Sequence, residues 1–556
     1  MFRAKRFGDV ARAVWLGALA LTLASCTWSY RPIPAEDYVG PPPPVATPLK
    51  GAAAPGGAAE RPVAEGEAAA PGAAPPEAPA GPIELDAREA VLMAMENNRE
   101  LAVERLTPSI VRTAVDEERA VFDPVLSGTL GDERVKGDSL SSRGRLYLRD
   151  AESIVGLAAM GVLLPTGTSL NLGASTEIAD AAGDGSKLVE SRVGLTVTQA
   201  LLRGAGLDVN RARIRQARLD ALASQYELRG FAEGLAGRTE LTYWDYVMAG
   251  RRAEILKKSV EMAEAQRKDT QERVRAGTLA QVELAAAEAE VALRRQDLID
   301  AQSDETKLRL QLLRLLNPPG AHLWERDVRA KGVPVAESGQ VDDVDSHVEV
   351  ARRMRPDLNQ ARLGVKRGDL EIVRTRNGLL PRMDLFITLG KSGYADSFSE
   401  SWKRIDGDAY DIFFGLNASY PAGNHAAEAR HRRAVLGQRQ ALEAVRNLEQ
   451  LAELDVRSAY VEVMRAKDQV AAATVTRQFD EQKLAAELEK FKINQASAFQ
   501  VARAQRDLAK SQVAETQAAV DYEKALVELY RLEGSLLERR GIASPGREPV
   551  DLAGGE

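Results

Sequence analysis

Few side chains in this chain of 556 residues could do covalent or metal chemistry: four histidines, one cysteine and one glycine-bearing loop. His425 and His431 stand six apart, which puts them on different faces of a helix. His322 and His347 lie in loop-like or helix-starting sequence, so no pair has metal-ligand spacing. Gly183-Asp184-Gly185-Ser186-Lys187 lacks the spacing and the following helix of a phosphate loop and reads as a surface loop. The chain is therefore expected to be no enzyme and to use no metal or cofactor. Cys26 is a different matter. It follows Leu23-Ala24-Ser25, at the end of an apolar run from Ala13 to Ala24 that Arg3, Lys5, Arg6 and Arg12 precede. Residues 1–25 read as an export signal ending in a lipoprotein cleavage box, and the Cys26 thiol is the atom that an acyl chain such as palmitate would modify.

One acyl chain holds a protein to a membrane only marginally, so stable attachment asks for a second element. No other run of about 18 apolar residues follows, and a membrane-spanning part would have to be β-strands closed into a barrel. Without the signal, 70 basic and 80 acidic residues remain, a formal charge of −10 that argues against nucleic acid as a partner. Only 5% of residues are aromatic and 28% are charged, and Ala, Leu, Glu, Arg, Gln and Val dominate the C-terminal two-thirds, a composition suited to long helices. Residues 26–82, with Pro41-Pro42-Pro43-Pro44, read as a Pro/Ala-rich disordered linker between lipid and folded body.

The elements that follow are repeated. The stretch Val274 to Asn317 recurs without insertion at Phe491 to Gly534, an offset of 217 residues. Steps of three and four from Leu284 reach Ala287, Val291, Arg294, Leu298, Ala301, Glu305, Leu308, Leu312 and Leu315, of which all but Arg294 and Glu305 are apolar. The copy gives Val501, Ala504, Leu508, Ser511, Glu515, Ala518, Tyr522, Ala525, Leu529 and Leu532. Such a narrow seam must be covered by another helix, as in a coiled coil. Ahead of each copy lies a stretch of 67 residues (208–274 and 425–491), which as helix is about 100 Å long. The first contains Gly230, Gly234, Gly237 and Gly250, where a bend or break is expected.

Before each long stretch come alternating segments. Leu385, Ile387 and Leu389 alternate with Phe386 and Thr388; Ile412, Phe414, Leu416 and Ala418 alternate with Phe413, Gly415, Asn417 and Ser419; and Val193, Leu195 and Val197 alternate with Gly194, Thr196 and Thr198. Apolar residues on one face and small or polar ones on the other suit a barrel with a wet inside, and equally a half-buried strand of a sandwich. Gly156 to Leu164 and Ser169 to Thr176, joined by Pro165-Thr166-Gly167-Thr168, form an extra pair that is either another hairpin of the sheet or an extracellular loop. Within each repeat the helical pattern breaks once. At Val274-Arg275-Ala276-Gly277-Thr278-Leu279, Gly277 is expected to cap the first helix and Thr278 the next; Asn494 occupies the Gly277 position in the copy.

Taken together, the repeat, Arg275-Ala276-Gly277-Thr278, Arg355-Pro356-Asp357-Leu358, Leu380-Pro381 before a strand and Tyr420-Pro421-Ala422-Gly423-Asn424 after one make residues 83–542 resemble the outer membrane efflux family. These are the TolC-like exit ducts of tripartite pumps and type I secretion systems. The resemblance implies a mostly α chain with a transmembrane β-barrel: a homotrimer in which each subunit gives four strands to a 12-stranded barrel and its helices to a long antiparallel coiled-coil α-helical barrel. It implies repeat 1 at 83–317, a linker at 318–346, repeat 2 at 347–542 and a flexible tail at 543–556. Localisation would be the cell outer membrane, lipid-anchored, with the helical part in the periplasm. Partners would be outer membrane lipid, a periplasmic adaptor (membrane fusion) protein and an inner membrane transporter.

By position, the adaptor-binding tips would be Arg275, Gly277, Thr278 and Leu279 in repeat 1 and Lys492, Asn494, Gln495 and Ala496 in repeat 2. Where such ducts often place inward carboxylates beyond the second tip, this chain has Gln500 and Arg503, so a cation-selective ring is not expected there; Glu283 of repeat 1 completes the candidate gate. The rival reading is a lipid-anchored periplasmic coiled-coil adaptor or scaffold without a pore, which would have no use for alternating strands in both repeats.

Overall fold

The computed structural model describes residues 82–140, 146–180, 187–320, 322–332, 342–493 and 495–552. The export signal, Cys26, nearly all of the linker, residues 183–186 of the glycine loop and Asn494 lie outside the described residues. In chain order the elements are β1 (Ile83–Leu85), α1 (Ala87–Asn97), α2 (Arg99–Glu104), α3 (Thr107–Arg119), β2 (Val125–Leu140), β3 (Leu146–Leu163), β4 (Thr168–Asp180), β5 (Lys187–Ala200), α4 (Leu207–Asn210), α5 (Ala212–Arg275) and α6 (Gln281–Leu316). There follow β6 (Val328–Ala330), α7 (Val344–Met354), α8 (Pro356–Asn377), β7 (Arg382–Ala395), α9 (Phe398–Lys403), β8 (Tyr410–Ser419), α10 (His425–Lys492), α11 (Ala498–Leu532) and α12 (Leu536–Arg539). The described residues fall into two compact units, one of 109–221 with 364–441, the other of 82–108, 222–363 and 442–552. Each unit draws on both repeats.

The first unit is built on one antiparallel sheet in the order β2-β3-β4-β5-β7-β8. The expectation of four strands per chain is thus corrected to six, because β3 and β4 pair from Ser153–Ala179 to Leu163–Ser169 and β2 pairs with β3 along its whole length. Local sequence decides the matter: Gly167, at φ +86°, turns the chain between β3 and β4, its N–H donating to the Leu164 carbonyl at 2.9 Å. Cross-strand register then puts Leu126, Met160, Leu172, Leu195, Leu389 and Ile412 on one face. Ser127, Asn171, Thr196, Thr388 and Asn417 occupy the other. The apolar face is left bare: Leu172, Ile387 and Leu389 are all exposed, and Phe414 on the edge strand is 74% exposed.

The polar face is held by hydrogen bonds and ion pairs. Thr196 and Thr388 share a hydroxyl contact of 3.1 Å, and Arg192 of β5 reaches Asp411 of β8 at 2.6 Å, crossing above Gly390 of β7, where any Cβ would overlap both side chains. At one end of the apolar face Thr176 and Ser191 replace large side chains; Ser401 of α9 meets Ser191 at 2.7 Å and the Trp402 indole N–H donates to Thr176 Oγ1 at 3.2 Å.

In the second unit the seam of α11 is buried at Val501, Ala504, Leu508, Ser511, Ala518, Tyr522, Ala525 and Leu529, eight of the ten expected positions. In α6 the buried set is Val291, Arg294, Ala301, Leu312, Leu313 and Leu316, so near its end the buried stripe shifts from Leu315 to Leu313 and Leu316. Those leucines join Tyr243, Trp244 and Val247 of α5 around a two-stranded parallel sheet of β1 and β6. The Tyr243 and Tyr246 hydroxyls donate to the Leu85 and Val328 carbonyls at 3.2 and 2.5 Å, satisfying buried strand carbonyls from a helix.

Helix α5 is unbroken over 64 residues, and α10 over 68. The break expected at the α5 glycines does not occur. One of them is a close-approach point: a Cβ on Gly237 would stand 2.9 Å from Arg531, whereas one on Gly230 would meet Pro356 at an ordinary 3.5 Å.

Buried charge sits beside those glycines. Arg229, fully buried, pairs with Glu538 at 2.8 Å and Glu233 at 3.6 Å and donates to the Gly534 carbonyl at 2.8 Å. Burial, opposed by Arg229 and reinforced by Glu538, pushes the Glu233 carboxyl up to about 8. The folded chain then holds a proton that the unfolded chain releases near 4.5, so this group's contribution to stability falls as pH rises from about 4.5 to 8. Glu233→Gln is expected to remove that fall: melts of variant and wild type should agree near pH 5 and diverge by roughly 2–5 kcal/mol in favour of the variant at pH 8. A constant difference across the range would refute the assignment.

Candidate functional site

The two hairpin tips are made by the same backbone device. In the first, the Thr278 N–H donates to the Arg273 carbonyl at 2.9 Å and the Gly277 N–H to Val274 at 3.0 Å, with Gly277 at φ +74°. This is a Schellman closure. In the second, the Gln495 N–H donates to the Lys490 carbonyl at 2.8 Å, the same bond 217 residues on. The helices restart differently. The Thr278 hydroxyl also donates to the Arg273 carbonyl at 2.9 Å, so it closes α5 instead of capping α6, whose N-cap Ala280 has no side-chain bond. Helix α11 has a full capping box: Ser497 N–H donates to Gln500 Oε1 at 2.7 Å and the Gln500 N–H to Ser497 Oγ at 3.3 Å.

Arg275, Gly277, Thr278, Lys492 and Gln495 are exposed, and Leu279 and Ala496 half-buried. Lys492 is paired with Glu489 at 2.6 Å. One turn beyond the breaks, Val282 is 72% exposed and Phe499, its equivalent in the copy, 64%. Apolar side chains so exposed on otherwise polar tips mark surface suited to a partner. Nothing packs near the Cβ site of Gly277, so Gly277→Ala is expected to cost only left-handed strain, about 1–2 kcal/mol. Amide exchange at the first tip should speed up accordingly while protection of α11 stays unchanged.

The tips lie side by side. The Arg273 guanidinium stacks over the Phe491 ring at 4.5 Å, and Phe491 packs with Ala498 and Val501. Further along α6, Arg294 occupies a seam position yet is buried; it pairs with Glu290 at 2.9 Å, contacts Ser259 of α5 and donates to the Ala502 carbonyl of α11 at 3.1 Å. Glu290 takes a second cation, Arg506, at 2.7 Å. Arg294 therefore links three helices, a role that its place in the repeat marked only as an exception.

Of the candidate gate residues, Glu283 lines a small cavity of about 40 Å³ with Gln266, Glu290 and Gln505. Gln500 is engaged in its capping box, and Arg503 is exposed on α11. Neither Gln500 nor Arg503 lines that cavity.

In the first unit a cleft of about 1130 Å³ is lined by Arg203, Arg213, Arg367, Arg374, Arg430 and Arg433 together with Glu117, Glu118, Asp220 and Glu371. It holds no nucleophile and base set for catalysis. Among the described residues no three His, Cys, Asp or Glu side chains are grouped to hold a metal, and no helix is long and apolar enough to cross a membrane.

Residues 348–535 match the family model described as Outer membrane efflux protein. No curated protein matches the chain. Solved structures do. That of CusC, described in terms of folding and transmembrane channel formation, aligns at 15% identity over 82% of this chain and 93% of that one, with a TM-score of 0.59. The CmeC outer membrane channel of Campylobacter jejuni aligns at 16% identity over 81% and 86%, TM-score 0.58. The open state of the Neisseria gonorrhoeae MtrE outer membrane channel aligns at 17% over 81% and 89%, TM-score 0.57. At these identities the likeness is one of fold.

Proposed function

We propose that this chain, whose residues 348–535 are an outer membrane efflux protein domain, works as the exit duct of a tripartite efflux pump or type I secretion system. Three copies pass substrate from an inner membrane transporter and a periplasmic adaptor to the exterior. The duct does no chemistry of its own; it contributes a passage and a gate. Cys26 carries the lipid, the sheet spans the outer membrane, and the helices stand in the periplasm, each repeat supplying strands and one helical hairpin.

The observation that carries the reading is the sheet with one bare apolar face and one face rich in Gly, Ser, Thr and Asn, on which Val125, Leu157, Phe386 and Phe413 are the large apolar side chains. A bilayer satisfies the first and a water-filled lumen the second. A pore-free scaffold has no need of either. Adaptor docking is assigned to Arg275, Gly277, Thr278, Leu279, Lys492, Asn494, Gln495 and Ala496, with Val282 and Phe499 as the apolar anchors. Glu283, Gln500 and Arg503 are the candidate gate.

Cysteines placed at Thr278 and Gln495 test the tips. Each is expected to crosslink to a periplasmic protein that co-purifies with an inner membrane transporter; capture by neither position would remove the tip assignment. A heat-modifiable trimer with single-channel conductance is expected in detergent, and a water-soluble monomer after removal of residues 1–82 would sink the duct itself.

A further inference from the structure

The sheet of the first unit has two open edges, β2 and β8. Both carry large apolar side chains in the open: Val125, Leu126 and Leu130 on β2, and Ile412, Phe413 and Phe414 on β8. An edge of that kind pairs with another strand or aggregates. The two edges suit each other. With six antiparallel strands in the sheet, β2 and β8 run in opposite directions, so β8 of one copy meets β2 of a second as an antiparallel pair, head to tail, and the contact can close a ring. Chain entry at Val125 and exit at Ser419 lie at the same end of the sheet. With these ends level, Leu130 falls opposite Phe414 and Leu126 opposite Ala418, all on the apolar face.

Register shows what this closure implies. The row from Val125 runs through Gly161, Asn171, Thr196 and Thr388 to Phe413, six residues short of the β8 end at Ser419. With Val125 of the next copy level with Ser419, the ring shears by six residues per chain, one per strand. At a rise of about 3.3 Å and a strand spacing of about 4.8 Å this tilts the strands by about 35°, within the range at which barrels close.

We propose that the wall of the duct is an 18-stranded barrel in which β2 of each copy pairs with β8 of the next, so that the lumen is incomplete in any one chain. This rests on the trimeric reading given above and departs from the 12-stranded barrel that four strands per subunit would make. At the same tilt, 18 strands close at a backbone diameter of about 34 Å and 12 strands at about 22 Å. The β2–β3 hairpin is thus a wall segment that widens the exit.

Disulfide trapping in the full-length protein, in outer membranes, tests the closure. Leu130→Cys with Phe414→Cys is expected to give, on oxidation, a ladder ending in a covalent trimer, because facing residues of an antiparallel pair hold their Cβ atoms within about 5.5 Å. Leu172→Cys with Phe414→Cys should stay uncrosslinked, since β4 is an inner strand. The reverse pattern, linkage through Leu172 only, would make β4 the edge and overturn the 18-stranded wall while leaving the trimeric duct intact. Linkage in neither variant overturns the wall and the strand-closed trimer together.

Discussion

Replacing Arg229 by alanine is expected to destabilise the protein by about 3–5 kcal/mol, the cost of leaving buried charge without its partner. The guanidinium is fully buried and lies 2.8 Å from Glu538, 3.6 Å from Glu233 and 2.8 Å from the Gly534 carbonyl. Its removal strands two carboxylates and a carbonyl in one place. Glu233 already holds its proton to about pH 8, so the larger part of the loss falls on Glu538 and on the turn at Gly534. That turn has little room to adjust: Gly534 has φ +72°, and a Cβ there would stand 3.1 Å from the Arg355 backbone. The check is a denaturant or thermal titration in detergent, with Arg229→Ala/Glu538→Gln recovering part of the loss. A penalty under about 1 kcal/mol, typical of a surface pair, would show that water reaches the cluster.

Ile387→Arg is expected to abolish stable assembly in the outer membrane, whereas Thr388→Arg, one residue on, leaves assembly intact and alters ion selectivity. The two positions occupy opposite faces of β7, the strand next to the β8 edge: Ile387 pairs with Val197 and Phe414, Thr388 with Thr196 and Phe413. An arginine on a lipid-facing position near mid-bilayer costs about 2–4 kcal/mol, while lumen positions tune conduction instead. Three copies carry the penalty at once in a trimer. Heat-modifiability on gels and reversal potential in planar bilayers read the two outcomes. Assembly of Ile387→Arg together with failure of Thr388→Arg would invert the face assignment.

How much of this was legible beforehand depended on sequence separation. The α11 seam was, because its period is local and its cover, α10, is the preceding helix. The strand faces were legible from alternation at Leu385 to Leu389 and Ile412 to Ala418. The number of strands was not: Ser169 to Thr176 alternates, but Gly156 to Leu164 is apolar on both faces, and the four-strand plan implied by resemblance left the pair without a place. The glycines of α5 suggested a break because propensity is summed along one helix, whereas Arg531, which packs too close to Gly237 for a Cβ, stands far away in the chain. The Arg229 cluster joins residues about 300 positions apart, and Arg294 reaches Ala502 across 208; no local pattern announces such pairs. Gln500 belonged by position to a gate and by chemistry to a capping box, and Ser497 three residues earlier was the available signal.

The tips carry one further consequence. Both turns are closed by main-chain bonds, from Thr278 to Arg273 and from Gln495 to Lys490, and in the first the Thr278 hydroxyl and the positive φ of Gly277 add to that closure. The other exposed side chains can change without refolding the hairpins. On the docking role proposed above, the two tips are addresses on a fixed frame, and grafting residues 275–279 or 492–496 from another such chain, with Gly277 and Thr278 kept, is expected to redirect which partner is met.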